Sequence, residues 1–136
     1  PVGRGMFAQE PLDPASYWEG DMRRSFFPRL AEPHFSKNME LVPMALDMAE
    51  RLGCSLPQLA IAWGLAKDEC VVSIPGTKSL AHLEDNFGAN DVVLSAEDVA
   101  ALDEHFTPEA IAGPRYSAMG QATVTTEIYP FEELEA

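Results

Sequence analysis

The chain has 136 residues, 46% of them apolar, and a formal net charge of −13. This length and apolar content suffice for one domain with a sizeable core and argue against disorder. The acidic balance excludes the basic surface that binds nucleic acid. No apolar run approaches the roughly 18 residues of a membrane helix, and no basic-then-apolar leader opens the sequence. Cys54 and Cys70 match no metal spacing and no disulfide framework, which indicates reduced thiols in a cytoplasmic protein.

The first 37 residues combine two early glycines with a long irregular stretch. Gly3 and Gly5 allow a sharp turn or a close approach of the backbone to a ligand, and a flexible end is the plainer alternative. The opening residues lack an initiator Met, which indicates a fragment. Prolines interrupt residues 6–37, and so long a connection is usually functional or mobile. Its aromatic residues and arginines suit a loop that folds over a ligand, or a loop that its own aromatics hold to the surface.

Two amphipathic helices are predicted over residues 38–52 and 55–67. Apolar residues of the first fall on one stripe. Pro43 is tolerated only in a first turn, so the regular helix is expected to start near residue 40 or later. The second helix begins after Ser55, where Gln58 completes a capping box.

Val71–Ile74 is predicted to be a short buried strand, followed by a Pro-Gly turn and a helix. A continuous apolar run of this kind is typical of a strand buried on both faces of a parallel sheet. Ser79 caps the predicted helix, whose two faces carry Leu80, Leu83 and Phe87 on one side and His82, Asp85 and Asn86 on the other. A strand, a turn and a helix N-terminus together direct backbone N–H groups towards an anion.

A further helix is predicted from Ser95, and residues 107–136 are predicted to be a tail that wraps the surface. The suggested anchors of this tail are Tyr116, Tyr129 and Phe131. The fold class is therefore α/β with about two parallel strands, one at Val71–Ile74 and the other ending at residues 1–5. Two parallel strands leave their edges uncovered, so their partners are expected to lie elsewhere.

Several segments, in the right order, resemble the aldo-keto reductases. They are Ile74-Pro-Gly-Thr-Lys78, His82-Leu-Glu-Asp-Asn86, residues 55–63, residues 94–103, Pro28-Arg29-Leu30, Pro-Val-Gly-Arg-Gly at 1–5, and Gly113-Pro-Arg-Tyr116. The resemblance implies that residues 1–136 are the C-terminal portion of a single (β/α)8 TIM barrel domain, with about two parallel strands, flanking helices and an extended tail at 107–136. Residues 6–37 would be a loop over the site and would border the substrate pocket with the tail. The N-terminal half of the barrel would be absent from this chain.

The resemblance also implies a site for NADP(H), in keeping with the phosphate sites of such barrels. Val2, Gly3 and Gly5 would lie along the pyrophosphate with Arg4 beside them. Gly76, Thr77 and Lys78 would bind the adenosine 2′-phosphate, Asp85 and Asn86 would reach the adenine or its ribose, and Ile74 and His82 complete the set. His82 stands where many members have Arg, and Asp85 where many have Glu, so NADPH is favoured over NADH without being fixed.

The activity that the resemblance implies is the reduction of aldehyde or ketone carbonyls with NADPH, this chain supplying the cofactor-binding half. The family's catalytic Asp, Tyr, Lys and His come from the first half of the barrel, so no residue here is assigned a catalytic role, and none binds a metal. The expected partners are a small carbonyl substrate and the N-terminal half, as a second chain or a missing segment, with no nucleic acid and no membrane. The alternative is a non-catalytic nucleotide-binding or scaffold module of the same family.

Overall fold

The computed structural model describes residues 2–10 and 12–125, and helices are their only regular structure. The α-helices are α1 (His34–Met39), α2 (Val42–Leu52), α3 (Leu56–Leu65), α4 (Leu80–Gly88), α5 (Ala96–His105) and α6 (Ala118–Gln121). Short 3-10 turns lie at Gly3–Gly5, Pro14–Ser16, Met22–Arg24, Pro28–Leu30, Ala89–Asp91 and Pro108–Ala110. None of the helices in the described part combines the length and the apolar content needed to cross a membrane.

The predicted α/β fold, a C-terminal barrel portion with about two parallel strands, is wrong for the part of the chain that the structure describes. Val71–Ile74 forms no strand, and Gly3–Gly5 is a 3-10 turn rather than the end of one. Val72 and Ile74 are 81% and 85% exposed, so the apolar run lies on the surface. A strand exists only through hydrogen bonds to a neighbouring extended segment, and no segment within residues 2–10 and 12–125 pairs with this one.

The helix predicted over residues 38–52 is divided in two. α1 ends at Met39 and α2 begins at Val42. Pro43 is the second residue of α2, where its missing N–H costs no helical hydrogen bond. The proline therefore lies in a first turn, as predicted, but an additional short helix precedes that turn.

Helix α3 begins with the predicted capping box. The Ser55 Oγ accepts a hydrogen bond from the Gln58 N–H at 3.2 Å, and the Gln58 Oε1 accepts one from the Ser55 N–H at 3.0 Å. The helix ends at Leu65, slightly earlier than predicted. The start of α3 was predictable because both hydrogen bonds join residues only three positions apart.

The chain divides into two compact units, of which the first contains residues 42–105 and the described residues up to Leu12. Its helix α3 contacts both α2 and α4. Leu59 of α3 is 1% exposed, and the burial of a leucine side chain stabilises a fold by about 1.5–3 kcal/mol. The other buried residues include Ala45, Met48, Ala49, Leu56, Ala60, Ile61, Ala62, Ala89 and Leu102. Packing against α3 therefore positions α4 and the turn that precedes it.

The second unit contains residues 13–41 and the described residues from Phe106 onward, and a buried asparagine joins its two segments. Asn38 is fully buried. Its Nδ2 donates to the carbonyl oxygens of Arg29 and Ala112, at 3.1 and 3.0 Å, and its Oδ1 accepts from the Ala112 N–H at 2.7 Å. The segment after α5 is thus held to the 29–38 segment by specific polar contacts.

Aromatic rings support the same junction. Phe26 and Phe27 each lie 5.9 Å from the ring of Tyr116, measured between centroids, and the Ser117 N–H donates to the Phe26 carbonyl oxygen at 2.9 Å. Tyr116 is therefore packed as a tail anchor. The other two suggested anchors, Tyr129 and Phe131, lie outside the described residues.

Candidate functional site

The turn between α3 and α4 leads into α4, and Ser79 caps the N-terminus of this helix. The Ser79 Oγ accepts from the His82 N–H at 3.4 Å. The Thr77 Oγ1 accepts from the Ser79 N–H at 3.1 Å and donates to the Ser79 carbonyl oxygen at 3.3 Å. These short-range bonds fix residues 77–79 at the N-terminus of a nine-residue helix, where backbone N–H groups and the helix dipole favour an anion.

Two basic side chains, Lys78 and His82, lie at this helix end. Both are exposed, Lys78 within the capping turn and His82 in the first turn of α4. A Cβ built at Gly76 would meet no atom of the described residues within 4 Å, so these residues leave space beside the turn. An anionic group can therefore approach the turn from solvent and meet positive charge without displacing packed atoms.

The two other predicted site residues of α4, Asp85 and Asn86, face different surroundings. The Asp85 Oδ2 accepts from the Ser55 hydroxyl at 2.9 Å, and the Asp85 carbonyl oxygen accepts from the Gln58 Nε2 at 3.0 Å. Asn86 instead lines an open cavity of about 330 Å³. The carboxylate of Asp85 is thus bonded to α3, whereas Asn86 is available at a cavity.

This cavity lies between α3, α4 and the residues before the turn. Its lining is mainly apolar, with a few polar groups: Ile61, Leu65, Val72, Ser73, Pro75, Leu83, Asn86, Phe87 and Asn90. The Ser73 hydroxyl is buried and has no hydrogen-bond partner among the described residues. A buried hydroxyl without a partner costs about 1–3 kcal/mol, so a polar group from outside the described residues is expected to bond to it.

Residues 2–5 form a tight turn in the same unit. Gly3, Arg4 and Gly5 have φ of 59°, 55° and 107°, in the left-handed region that favours glycine. The Gly5 and Phe7 N–H groups donate to the Val2 carbonyl oxygen at 3.1 and 3.3 Å. The glycines therefore make the sharp turn that the sequence predicts. Arg4 has an uncommon conformation for a residue with a side chain.

The structure thus brings Gly76, Thr77, Lys78 and His82 together at one helix end, with Asn86 further along α4. Ile74 is exposed just before the turn. The arrangement offers basic side chains and a helix N-terminus to an anionic group such as a phosphate. Within residues 2–10 and 12–125, no group of three or more His, Cys, Asp or Glu side chains could hold a metal ion.

Sequence reasoning missed the contacts of Ser55 and Gln58 with Asp85. The capping box is recognisable as a local sequence pattern. Asp85, to which Ser55 and Gln58 also bond, lies 30 and 27 residues further along the chain. No periodicity or spacing within the chain indicates such a pair.

Comparison with known proteins gives a consistent result. A family model described as "Aldo/keto reductase family" matches residues 1–107. A Schizosaccharomyces pombe protein named aldo-keto reductase yakc, with NADP(+) in its name, is 38% identical over 116 residues, which are 85% of this chain and 34% of that protein. Aldo-keto reductase str7 of Strobilurus tenacellus is 30% identical over 130 residues, 96% of this chain and 38% of that protein. The chain therefore spans little more than a third of the length of these relatives.

Proposed function

The chain belongs to the aldo-keto reductase family, a family of oxidoreductases, and we propose that it is the NADP(H)-binding part of an enzyme that reduces aldehyde or ketone carbonyls. The observation that carries the proposal is the capped turn at Thr77–Ser79, which places the exposed Lys78 at the N-terminus of α4, within the residues that the family model matches. The NADP(+) in the name of one relative supports the choice of cofactor.

In this proposal the 2′-phosphate lies at the N-terminus of α4. The Lys78 ammonium supplies a charge-assisted hydrogen bond, and a phosphate has room beside Gly76, where a Cβ would meet no atom of the described residues within 4 Å. The Thr77 hydroxyl already bonds to its own turn, but its 3.3 Å contact with the Ser79 carbonyl oxygen is long. Rotation of this hydroxyl towards a phosphate oxygen therefore gives up only a weak hydrogen bond.

The remaining predicted residues would contact the other parts of the nucleotide. Asn86 would bond to the adenine or its ribose from the wall of the cavity. Val2, Gly3 and Gly5 would follow the pyrophosphate with Arg4 beside them, because a turn with little side-chain bulk lets backbone N–H groups approach closely. His82, when protonated, would add a second positive charge beside the 2′-phosphate.

Bound NADPH supplies the hydride for carbonyl reduction, and the residues of this chain hold its adenosine end. No residue here is assigned as the general acid. We assign that role, and the contacts with the carbonyl oxygen, to the N-terminal half of the reductase, since the relatives are nearly three times as long as the region that they share with this chain.

Exposed apolar side chains support this partner. Val72, Ile74, Leu80, Phe87 and Val93 are each at least 67% exposed, and Val72 and Phe87 line the same cavity as Leu83, which is 41% exposed. Monomeric soluble proteins seldom expose large contiguous apolar patches, and such patches usually mark an interface. The N-terminal half, as a second chain or as part of a longer polypeptide, is the partner proposed to cover these side chains.

The proposal is tested by restoring the missing part. The 136-residue chain is co-expressed with the N-terminal half of a related reductase, and NADPH oxidation is followed with aldehyde and ketone substrates. Carbonyl-dependent oxidation by the co-purified pair, and by neither part alone, is the expected result. If a pair forms and binds NADPH but reduces no carbonyl, the alternative of a non-catalytic nucleotide-binding module is correct instead.

A further inference from the structure

Four side-chain hydrogen bonds form a network at the start of α3, and two of them reach Asp85 of α4. The Ser55 hydroxyl accepts from the Gln58 N–H and donates to the Asp85 Oδ2. The Gln58 amide accepts from the Ser55 N–H through Oε1 and donates to the Asp85 carbonyl oxygen through Nε2. All four lie between 2.9 and 3.2 Å. Ser55 and Gln58 thus cap α3, and each also bonds to Asp85 of α4.

The Asp85 carbonyl oxygen needs this contact because it lies in the last turn of α4. In a continuing α-helix it would accept from the Ala89 N–H. That N–H instead bonds to the carbonyl oxygens of Asn86 and Phe87. The carbonyl of Asp85 is therefore one of the terminal acceptors that a helix leaves without an internal partner, and the Gln58 Nε2 satisfies it.

Close packing holds the Gln58 amide in place. A Cβ built on Gly88 would lie 2.4 Å from the Gln58 Nε2 and 3.2 Å from its Cδ. Gly88 has φ of −59°, which any residue adopts, so a Cβ here would displace the Gln58 amide without straining the backbone. Gln58, Asp85 and Gly88 form one junction between the two helices.

We propose that Gln58, together with Ser55, is a positioning residue for the nucleotide site. The junction fixes α4, and α4 carries the capped turn, His82 and Asn86 to the cofactor. Asp85, in this proposal, acts through its bonds to α3 rather than through contact with the adenine. The inference rests on the proposed function, because it assigns NADP(H) to the N-terminal end and polar face of α4.

Two variants separate positioning from helix stability. Gln58→Glu keeps an acceptor for the Ser55 N–H, so α3 retains a capping box, but it has no N–H to donate to Asp85. Gly88→Ala displaces the Gln58 Nε2 without altering Gln58, and alanine is a better helix former than glycine. Ser95→Ala is the matched control, since it removes the comparable cap at the start of α5, where the Asp98 N–H donates to Ser95 Oγ at 3.1 Å.

The measurement is NADPH affinity of the chain paired with the N-terminal half, well below the melting temperature of every variant. Gln58→Glu and Gly88→Ala are expected to weaken binding about three- to tenfold, the equivalent of one net hydrogen bond. Ser95→Ala is expected to leave the affinity unchanged within about twofold. Faster hydrogen exchange of the α4 amides in the first two variants, and not in the third, is the accompanying structural result.

The outcomes distinguish this inference from the proposed function. Wild-type affinity in Gln58→Glu and Gly88→Ala, or an equal loss in Ser95→Ala, overturns the positioning role. If Lys78→Ala weakens NADPH binding in the same experiments, the proposed function stands even when the positioning role fails. If the wild-type pair binds no NADPH, both fail together.

Discussion

Replacing Asn38 with alanine tests the junction that holds the second unit together. The substitution removes two hydrogen bonds that Nδ2 donates, to the carbonyl oxygens of Arg29 and Ala112, and the one that Oδ1 accepts from the Ala112 N–H. The side chain is fully buried, so its former partners are poorly reached by water. Local structure around residues 112–117 is expected to loosen while the first unit is little affected.

The magnitude follows from the three bonds. A typical intramolecular hydrogen bond contributes about 0.5–1.5 kcal/mol net, so three give about 2–4 kcal/mol, and the loss of packing around the side chain adds to this. The Arg29 Nε still donates to the Gly113 carbonyl oxygen at 2.9 Å, and the ring contacts of Tyr116 remain. These contacts limit the effect to a local opening.

Hydrogen exchange resolved to single amides is the assay, with the Ala112 amide as the reporter. Its opening free energy is expected to fall by about 2–4 kcal/mol in Asn38→Ala, which is about a 30- to 1000-fold faster exchange. Asn90→Ala is the control, since Asn90 is exposed and its side chain makes a short-range bond to the Phe87 carbonyl oxygen. An Ala112 amide that exchanges at the wild-type rate in Asn38→Ala would refute the reasoning.

Three further predictions concern the first unit. Gly76→Ala is expected to leave the melting temperature nearly unchanged, because the added Cβ meets no atom of the described residues. The same variant is expected to weaken NADPH binding, measured by fluorescence. An affinity equal to that of the wild type would exclude a close approach of the cofactor at Gly76. A hydrogen bond from the Ser95 N–H lowers the pKa of Asp98, and a hydrogen bond from Arg51 has a smaller effect in the same direction. The carboxylate therefore stabilises the fold above the usual carboxyl pKa, and this stabilisation is lost as pH falls through the lowered pKa. Asp98→Asn should therefore cost about 0.5–1 kcal/mol at pH 7 in urea unfolding, and the difference should shrink as pH falls through the lowered pKa of Asp98; a difference independent of pH contradicts the assignment. His82→Ala should weaken NADPH binding more than NADH binding, because the imidazole lies in the first turn of α4 beside the proposed 2′-phosphate position; unchanged affinity for both cofactors would remove His82 from the site.

Helix starts were the part of the fold that sequence reasoning predicted well. Ser55, Ser79 and Ser95 each begin a helix through side-chain bonds to a residue three positions on. Such bonds depend only on neighbouring residues, so the local sequence is sufficient to specify them. The capped turn before α4 was predictable for the same reason.

The strand predicted at Val71–Ile74 does not form, because the local sequence alone does not decide whether a strand exists. Its composition favours a strand, but strand formation depends on a neighbouring extended segment, and the described residues offer none. The contacts between distant segments could not be predicted either. Examples are the hydrogen bonds of Asn38 with Ala112 and of Gln58 with Asp85. Hydrophobic periodicity identifies a face that packs, but it does not identify the residue that this face meets.

The most direct test of the central claim compares NADPH with NADH binding by the wild type and by Lys78→Ala. A hydrogen bond to a charged group contributes about 1.5–3 kcal/mol, so NADPH should bind about 10- to 100-fold more weakly to the variant, while NADH, which lacks the 2′-phosphate, should bind equally well. Lys37→Ala, which removes an exposed lysine of the second unit, is the control for the loss of charge. An equal loss of affinity for both cofactors, or no loss for either, would contradict the assignment of the 2′-phosphate to the turn before α4.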